Sequence, residues 1–473
     1  MAEKELHIVS MGVESFDDAL AGASHIHLDW RPPAAGDTDL VDALFRIEAL
    51  CRDEAGNSLV DAANAEAFSR IKAGQPVLKR VRPAHEVIEG MTKTTINHAG
   101  PPIRWEDMCG PMRGAYIGAL KYEGLAKTDE EAEALMASGK ITYGPNHYNR
   151  CVGPMTGMIS YSMPLLEVEN EAFGNKAYCT LNEGIGKVMR FGANGPEVIN
   201  RLRWLETVLA PALDKALLAC GGVNLKNIMA MSLAMGDEMH QRNIAASLNF
   251  FKNIGGDLTE VISGTPEARA IVEFLIKKND QFFLNLAMAA CKSVLDTARD
   301  IPYSTVVTAM SRNGVEFGIN VSGLGNQWFT APCLKPQALY FPGYSEKDAN
   351  PDMGDSAIVE CYGIGGFAMG SAPAVVRFVG AGGLADAIRY TENMGKITVG
   401  QNLDLPMPNL DFAGIHAGID IRKVVATGIL PVINTGVAHK EPGVGQVGAG
   451  VVNPPMDIMT AALRAFADKY CPR

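Results

Sequence analysis

The pattern Gly-Pro-Met-x-Gly occurs twice in this chain, at residues 110–114 and 153–157. Each copy trails a short run of polar groups suited to chemistry: Asn97, His98 and Arg104 before the first, and Asn146, His147, Asn149 and Arg150 before the second. Proline fits the first turn of a helix, and the neighbouring N–H groups then stay free to face an anion or an oxyanion. Imidazoles nearby are the usual proton-transfer groups at neutral pH. Two similarly capped helices packing through their small residues would produce the same repeat, so the pattern alone leaves both readings open.

Other segments add reactive side chains. Cys109 precedes the first Gly-Pro, where a helix N-terminus can activate a thiol, but Cys151 is displaced by one residue from the second copy. The thiol is therefore not part of what repeats, and a packed, inert Cys109 is the better reading. MGDEMHQRN places Asp237, Glu238, His240, Arg242 and Asn243 on an expected helix, where Asp237 and His240 share a face. That spacing suits an acid-oriented imidazole or a mixed-charge surface, and a metal is not expected because no second ligand pair accompanies it. INTGVAHKEPGVGQVG sets Asn434, His439, Lys440 and Glu441 between an apolar run and glycines, where a strand end delivers polar groups to a crevice. TLNEGIGKVMRFG offers Asn182, Glu183, Lys187 and Arg190, with Glu183 and Lys187 spaced as a surface ion pair. GVGQVG does not open a helix, and the chain ends before a ribose-binding acid could follow, so it is not a dinucleotide fingerprint. No Walker loop is present, and no cofactor is expected.

These groups must be carried by a large scaffold. At 473 residues the chain suggests roughly three domains. LHIVS, ESFDDALAG and HIHLDW read as strand, helix and strand, followed by helices over 38–52 and 57–73 and a strand at PVLKRV. A helix from Pro111 to Glu123 and another capped at Thr128 follow, then strands at MISYSM and KAYCTL. Residues 196–300 read as helical throughout, beginning at Pro196, with a stripe of Ile199, Leu202, Leu205, Leu209 and Leu213 and a methionine-rich face read as core. Asn313-Gly314 between apolar runs predicts a hairpin, and helices near 383–394 and 455–469 complete the chain. The expected fold class is α+β: an α/β-like N-terminal module (1–90), a Gly/Pro-rich α/β portion (91–195), an inserted helical subdomain (196–300) and a C-terminal α/β portion (301–473).

A net charge of −11 and the lack of any Lys/Arg block exclude a nucleic-acid or anionic-membrane partner. Nine scattered cysteines without a C-x-x-C pattern read as reduced thiols in a cytoplasmic protein, and no segment reads as a membrane span or a secretory leader.

Several long blocks, among them NHAGPPIRWEDMCGPMRGA, GDEMHQRN, FGINVSGLGNQWFTAP, LYFPGYSEKDANPDMGDSAI and GILPVINTGVAHKEPGVGQVGAG, resemble the AllG/YlbE-like family, long described only as a domain of unknown function. The likeness runs over nearly the whole chain. It implies an α+β fold with a helical domain and a subunit of an oxamate carbamoyltransferase acting in anaerobic allantoin breakdown beside FdrA-like and AllH-like subunits. The implied reaction takes oxalurate and phosphate to oxamate and carbamoyl phosphate. Such phosphorolysis needs two anions held together, donors on the carbamoyl oxygen and an acid for the departing nitrogen. Under that reading Arg104, Arg113 and Arg150 are anion-clamp candidates, and the turns at Gly110 and Gly153 face phosphate or oxyanion. His439, then His98, His147 and His240, are the acid/base candidates, with Lys440 and Asn182 assisting binding. A hydrolase of an amide or cyclic ureide, using Cys109 or a metal near Asp237 and His240, is the second expectation. A non-catalytic assembly subunit is the third, and self-association is compatible with each.

Overall fold

The structure, a computed structural model, describes residues 8–12, 20, 24–28 and 32–472. The α+β class holds: helices pack around several separate sheets rather than one continuous sheet. Strands Ile8–Met11 and His25–Leu28 pair in parallel, as a βαβ opening requires. The helix expected over ESFDDALAG lies almost wholly outside the described residues.

Helices Thr38–Leu50 and Leu59–Ala73 start where their caps dictate. Asp37 accepts from the N–H groups of Asp39 and Leu40, and Ser58 accepts from that of Asp61, so each supplies a partner for an orphan donor of the first turn. Strand Pro76–Pro83 then joins a five-stranded sheet with Cys151–Val152, Pro164–Asn170, Asn175–Thr180 and Val223–Asn224. MISYSM is not a strand of that sheet. Apart from a bridge from Ile159 to Asn97, it is irregular chain, and the ladder begins only at Pro164.

Helix Phe282–Leu295 is buried along its whole length, which fits a segment apolar on every side. Its Lys292 pairs with Asp296 at 2.6 Å. Helix Pro196–Trp204 and its continuation to Cys220 carry the predicted stripe: Leu202, Leu205, Leu209 and Leu213 are buried and Ile199 is partly buried. It widens into a π-turn at Leu205–Leu209 just before Pro211, whose missing N–H the regular ladder cannot use. The methionine-rich face is core only in part, since Met229, Met239 and Met288 are buried while Met231 and Met235 are exposed.

The predicted hairpin is present. Strands Val307–Asn313 and Glu316–Val321 pair antiparallel, and Gly314 takes φ 83° between them. Asn313 Oδ1 accepts from the N–H groups of Val315 and Glu316, which closes the turn. Strands Gln337–Tyr340, Gln446–Val452 and Ile433–Ala438 form a second sheet, and helix Met456–Tyr470 closes the chain. One hydrophobic core gathers side chains from Ala34 to Cys471. The expectation of reduced cysteines is corrected at one pair. Cys51 and Cys471 are disulfide-bonded across 420 residues, a pairing no local spacing signals, and seven cysteines stay free.

Candidate functional site at the paired Gly-Pro-Met turns

The first Gly-Pro-Met segment starts a helix, Gly110–Tyr122, with Pro111 in its first turn. The loop after strand Ile433–Ala438 lies across this helix start. A Cβ on Gly110 would stand 2.5 Å from the carbonyl oxygen of Lys440, and one on Gly192 would stand 2.7 Å from that of Pro111. These glycines are thus spent on close backbone packing.

The second segment is not a helix start, contrary to expectation. Strand Cys151–Val152 runs into it, Met155 adopts φ 57°, and the N–H of Gly157 closes back on the carbonyl of Pro154 at 3.1 Å. A left-handed residue at Met155 cannot continue a right-handed helix. A Cβ on Gly153 would fall 2.6 Å from Gly157 Cα, so the turn closes only around glycine. We expect Gly110→Ala and Gly153→Ala each to destabilise the fold by about 1–3 kcal/mol, measured as a lowered midpoint of urea unfolding.

The two turns do converge. Met155, Val188, Phe191, Met353 and Ala438 form one small apolar cluster against which Cys109 packs. On one side of the second turn lies Asp355, fully buried. It accepts from the N–H groups of Gly100 (3.0 Å) and Gly153 (2.9 Å), from Asn146 Nδ2 (2.9 Å) and from the Ser311 hydroxyl. His147 Nε2 stands 3.4 Å from Asp355 Oδ1. Burial pushes the Asp355 carboxyl up, but its contacts with His147, Ser311 and Asn146 outweigh this and hold it below the usual carboxylate range. Burial pushes both His98 and His147 down, so each imidazole is neutral at neutral pH. Around this carboxylate lie buried polar atoms with no protein partner: Asn97 Nδ2, His98 Nε2, Asn146 Oδ1, His147 Nδ1 and Thr156 Oγ1. Buried polar atoms rarely go unpaired, so such a concentration marks a place that can receive a polar ligand or water.

On the other side of the turn, Pro154 and Gly157 line a small cavity with Asn182, Glu183, Arg190 and Asn285. The backbone N–H of Thr156 donates to the carbonyl of Arg190 at 3.2 Å, which ties this wall to the turn. Arg190 is 6% exposed, and its Nη2 donates to the Gly184 carbonyl and to Gln281 Oε1, while its Nε has no protein partner. Burial lowers its pKa to about 10, which leaves it a cation at neutral pH. Asn182 holds Asn285 and the N–H of Gly184. Glu183 is buried too and accepts from the N–H groups of Met189 and Arg190, so it is no surface partner for Lys187.

Of the predicted site residues, His98, His147, Gly153 and Asn182 therefore meet around one turn. Gly110 and Lys440 meet each other at the first helix start, through backbone, and His439 sits beside them with its Nδ1 accepting from the N–H of Glu441. The three arginines do not converge. Arg104 is exposed and pairs with Asp107, Arg150 is exposed, and Arg113 donates to the carbonyls of Met108 and Glu106 while covering the Trp105 ring. Arg190 is the cation that spacing undervalued; its burial depends on Gln281 and the Glu183 loop, partners far apart in sequence.

GDEMHQRN is an irregular segment between helices Leu225–Ala234 and Ile244–Ile262, not a helix, and Met239 takes φ 63° within it. Asp237 is held by Arg242 Nε and the N–H of Ala246, and His240 Nδ1 by Glu360 Oε1 at 2.7 Å. Neither side chain is turned toward the other for a shared metal. Glu238 accepts three backbone N–H groups, and its burial raises its pKa to about 7. Cys109 is also poorly set up for attack, because burial pushes its thiol up to about 11. Cys109→Ala is expected to change turnover less than about twofold, and a loss approaching that of a covalent nucleophile would show this reading of the thiol to be wrong.

No described helix is long and apolar enough to cross a membrane. A family profile described as "Oxamate carbamoyltransferase subunit AllG" matches residues 141–356, a span that holds the second turn, Asn182, Arg190 and Asp355. The chain is 49% identical over 411 residues to a protein of Escherichia coli K12 named oxamate carbamoyltransferase subunit AllG, covering 86% of this chain and 98% of that one. It is 44% identical to the E. coli K12 protein YahG, named as uncharacterized, over 98% of both chains. A crystal structure of a conserved protein of unknown function from Enterococcus faecalis V583 superposes with a TM-score of 0.85 at 45% identity, covering 87% of this chain and 98% of that one. On this identity and coverage, the chain belongs to the AllG family.

Proposed function

We propose that this protein is a carbamoyltransferase subunit that takes a ureido acid such as oxalurate, with phosphate, to oxamate and carbamoyl phosphate in the catabolism of allantoin and purine nitrogen. The observation that carries the reading is the 49% identity maintained over 98% of the length of a relative named as an oxamate carbamoyltransferase subunit. A phosphate oxygen attacks the carbamoyl carbon, the carbon–nitrogen bond breaks, and the departing amide nitrogen takes a proton. The turn region holds groups of the types this needs. Arg190 supplies fixed positive charge for an anion, and Asn97 and Thr156 supply buried donors for the carbamoyl oxygen. The neutral imidazoles of His98 and His147 can take the proton of hydrogen phosphate and return it to the leaving nitrogen. Exclusion of water from so buried a site protects a carbamoyl group from hydrolysis. FdrA-like and AllH-like subunits complete the enzyme, which works in the cytoplasm.

The test is reconstitution. The chain is mixed with those two partner subunits and oxalurate, and oxamate release is followed with and without phosphate. Release that requires both phosphate and this chain supports the reading; release at the same rate without phosphate makes the enzyme a hydrolase and sinks it.

A further inference from the structure

Ile185, Met231, Met235, Ile244, Leu248 and Phe378 are large apolar side chains left between 40% and 55% exposed. They are not scattered. Ile185, Ile244 and Phe378 line one surface groove of about 350 Å³ together with the buried Val375. Leu248 follows Ile244 by one turn of helix Ile244–Ile262, so the two share a face. Asn249 Nδ2 reaches Met235 Sδ at 3.4 Å, which seats Met235 beside that turn, and Met231 precedes Met235 by one turn of its own helix. Half-exposed side chains of this size leave on the order of 500 Å² of apolar surface open, as much as the largest patch of a typical monomer and most of one partner's share, about 800 Å², of a standard interface. We propose that this face is the docking surface for a second protein subunit of the enzyme, one that sets an apolar side chain into the groove and rings it with carboxylates.

The charges select that partner. The chain carries a net −11, yet the three segments that form the groove bear Lys187, Arg242 and Arg377. Lys187 and Arg377 are exposed, and the Arg242 side chain is 42% exposed beyond its bond to Asp237. Asp280 is the one carboxylate among the described residues that line the groove. A cationic border around an apolar depression attracts an acidic surface and disfavours a second copy of so acidic a chain. Methionines suit such a face because they repack around an incoming side chain. The groove also adjoins the candidate site: Gln281 lines it and accepts from Arg190 Nη2 at 3.0 Å, so a seated subunit touches the residue that orients the site's buried cation. The proposal rests on the chain's role as a transferase subunit and adds where its partner sits.

The experiment uses the full chain and the two partner subunits proposed above, with equilibrium binding by calorimetry and association rates by stopped flow. The substituted side chains are exposed, and melting curves check that each variant is folded. We expect Leu248→Glu and Phe378→Glu each to raise Kd for one of the two subunits at least about thirtyfold. Lys187→Glu combined with Arg377→Glu slows its association about tenfold at low salt and less at high salt. Phe45→Glu, at a residue 70% exposed on helix Thr38–Leu50, leaves Kd unchanged. Folded Leu248→Glu and Phe378→Glu chains that bind both subunits as the wild type does, an equal loss with Phe45→Glu, or a wild-type chain that binds neither subunit would overturn the docking surface. A wild-type dimer, or wild-type binding to phosphatidylglycerol vesicles, that Leu248→Glu abolishes while subunit binding persists would overturn it too. Phosphate-dependent oxamate release that survives any of these results leaves the carbamoyltransferase reading standing. Assembly that Leu248→Glu disrupts, without phosphate-dependent release by the wild type, sinks that reading and leaves the docking surface.

Discussion

Asp355→Ala lowers the stability of the fold by about 3–5 kcal/mol, read as a shift of the urea midpoint, and abolishes turnover. The size follows from what the carboxylate holds. It joins Gly100, the second Gly-Pro-Met turn, Asn146 and the strand bearing Ser311, and all four donors are buried. Alanine leaves the Gly153 N–H and the Ser311 hydroxyl without an acceptor, while Gly100 keeps Ser311 Oγ and Asn146 keeps the Gly157 carbonyl, and each stranded group costs about 1–3 kcal/mol. The same residue sets a pH dependence. Its folded pKa is depressed, so its contribution is fully present above the ordinary carboxylate value and is lost as pH falls through the folded pKa. His98 and His147, held neutral by burial, act in the same direction in a higher window. Their folded pKa values lie below 6.5, so the stability they hold declines as pH falls below about 6.5. Glu238 works oppositely: its pKa is raised to about 7, so folding gains from its neutral form below pH 4.5 and loses that gain as pH rises through about 7. Glu238→Gln is therefore expected to remove a stability loss between pH 4.5 and 7 and to leave the acid-side decline in place, as equilibrium unfolding at stepped pH would show.

Arg190→Gln lowers kcat/KM of the assembled enzyme about 10²–10³-fold, a loss of the order seen when one preorganised electrostatic group is removed. Arg190 is the buried cation of the cavity beneath the second turn, and its Nη2 is held by Gln281 Oε1 at 3.0 Å. Lysine does not rescue it, because its ammonium nitrogen ends one bond short of Nη2, the atom that donates to both the Gly184 carbonyl and Gln281 Oε1, and has no counterpart of Nε. Parallel melting curves separate this from a folding defect, since the variant retains the Glu183 bonds to Met189 and Arg190 backbone that shape the loop. A folded Arg190→Gln enzyme with unchanged kcat/KM would remove the residue from the site.

Local signals were legible in the sequence where local physics decides. The cap at Thr128, the proline starts at Pro111 and Pro196 and the Asn313-Gly314 hairpin all appear where spacing placed them. The repeat at residues 110–114 and 153–157 pointed to the right neighbourhood but not to the right geometry, because Met155 takes a left-handed conformation that no propensity announces. GDEMHQRN has helical periodicity, yet the backbone amides of His240, Gln241 and Arg242 bond to Glu238 instead of continuing a helix. The long-range partners were silent. Asp355 lies over 200 residues from Gly100, Asn146 and Gly153, and the block that contains it, PDMGDSAI, reads in isolation as a loop rich in turn formers. Exposed arginines near the Gly-Pro turns drew attention, while the buried Arg190 is recognised only once the fold brings Gln281 to it.

The central claim, that the chain serves phosphorolysis of a ureido acid through the region of the second turn, is tested most directly by phosphorus NMR. The chain is combined with the proposed FdrA-like and AllH-like partners, oxalurate and phosphate, and the spectrum is followed for carbamoyl phosphate, beside a complex carrying Arg190→Gln. The account predicts a carbamoyl phosphate resonance that grows with the wild-type chain and is nearly absent with the variant. Consumption of oxalurate without that resonance, or an equal resonance from both complexes, would contradict it.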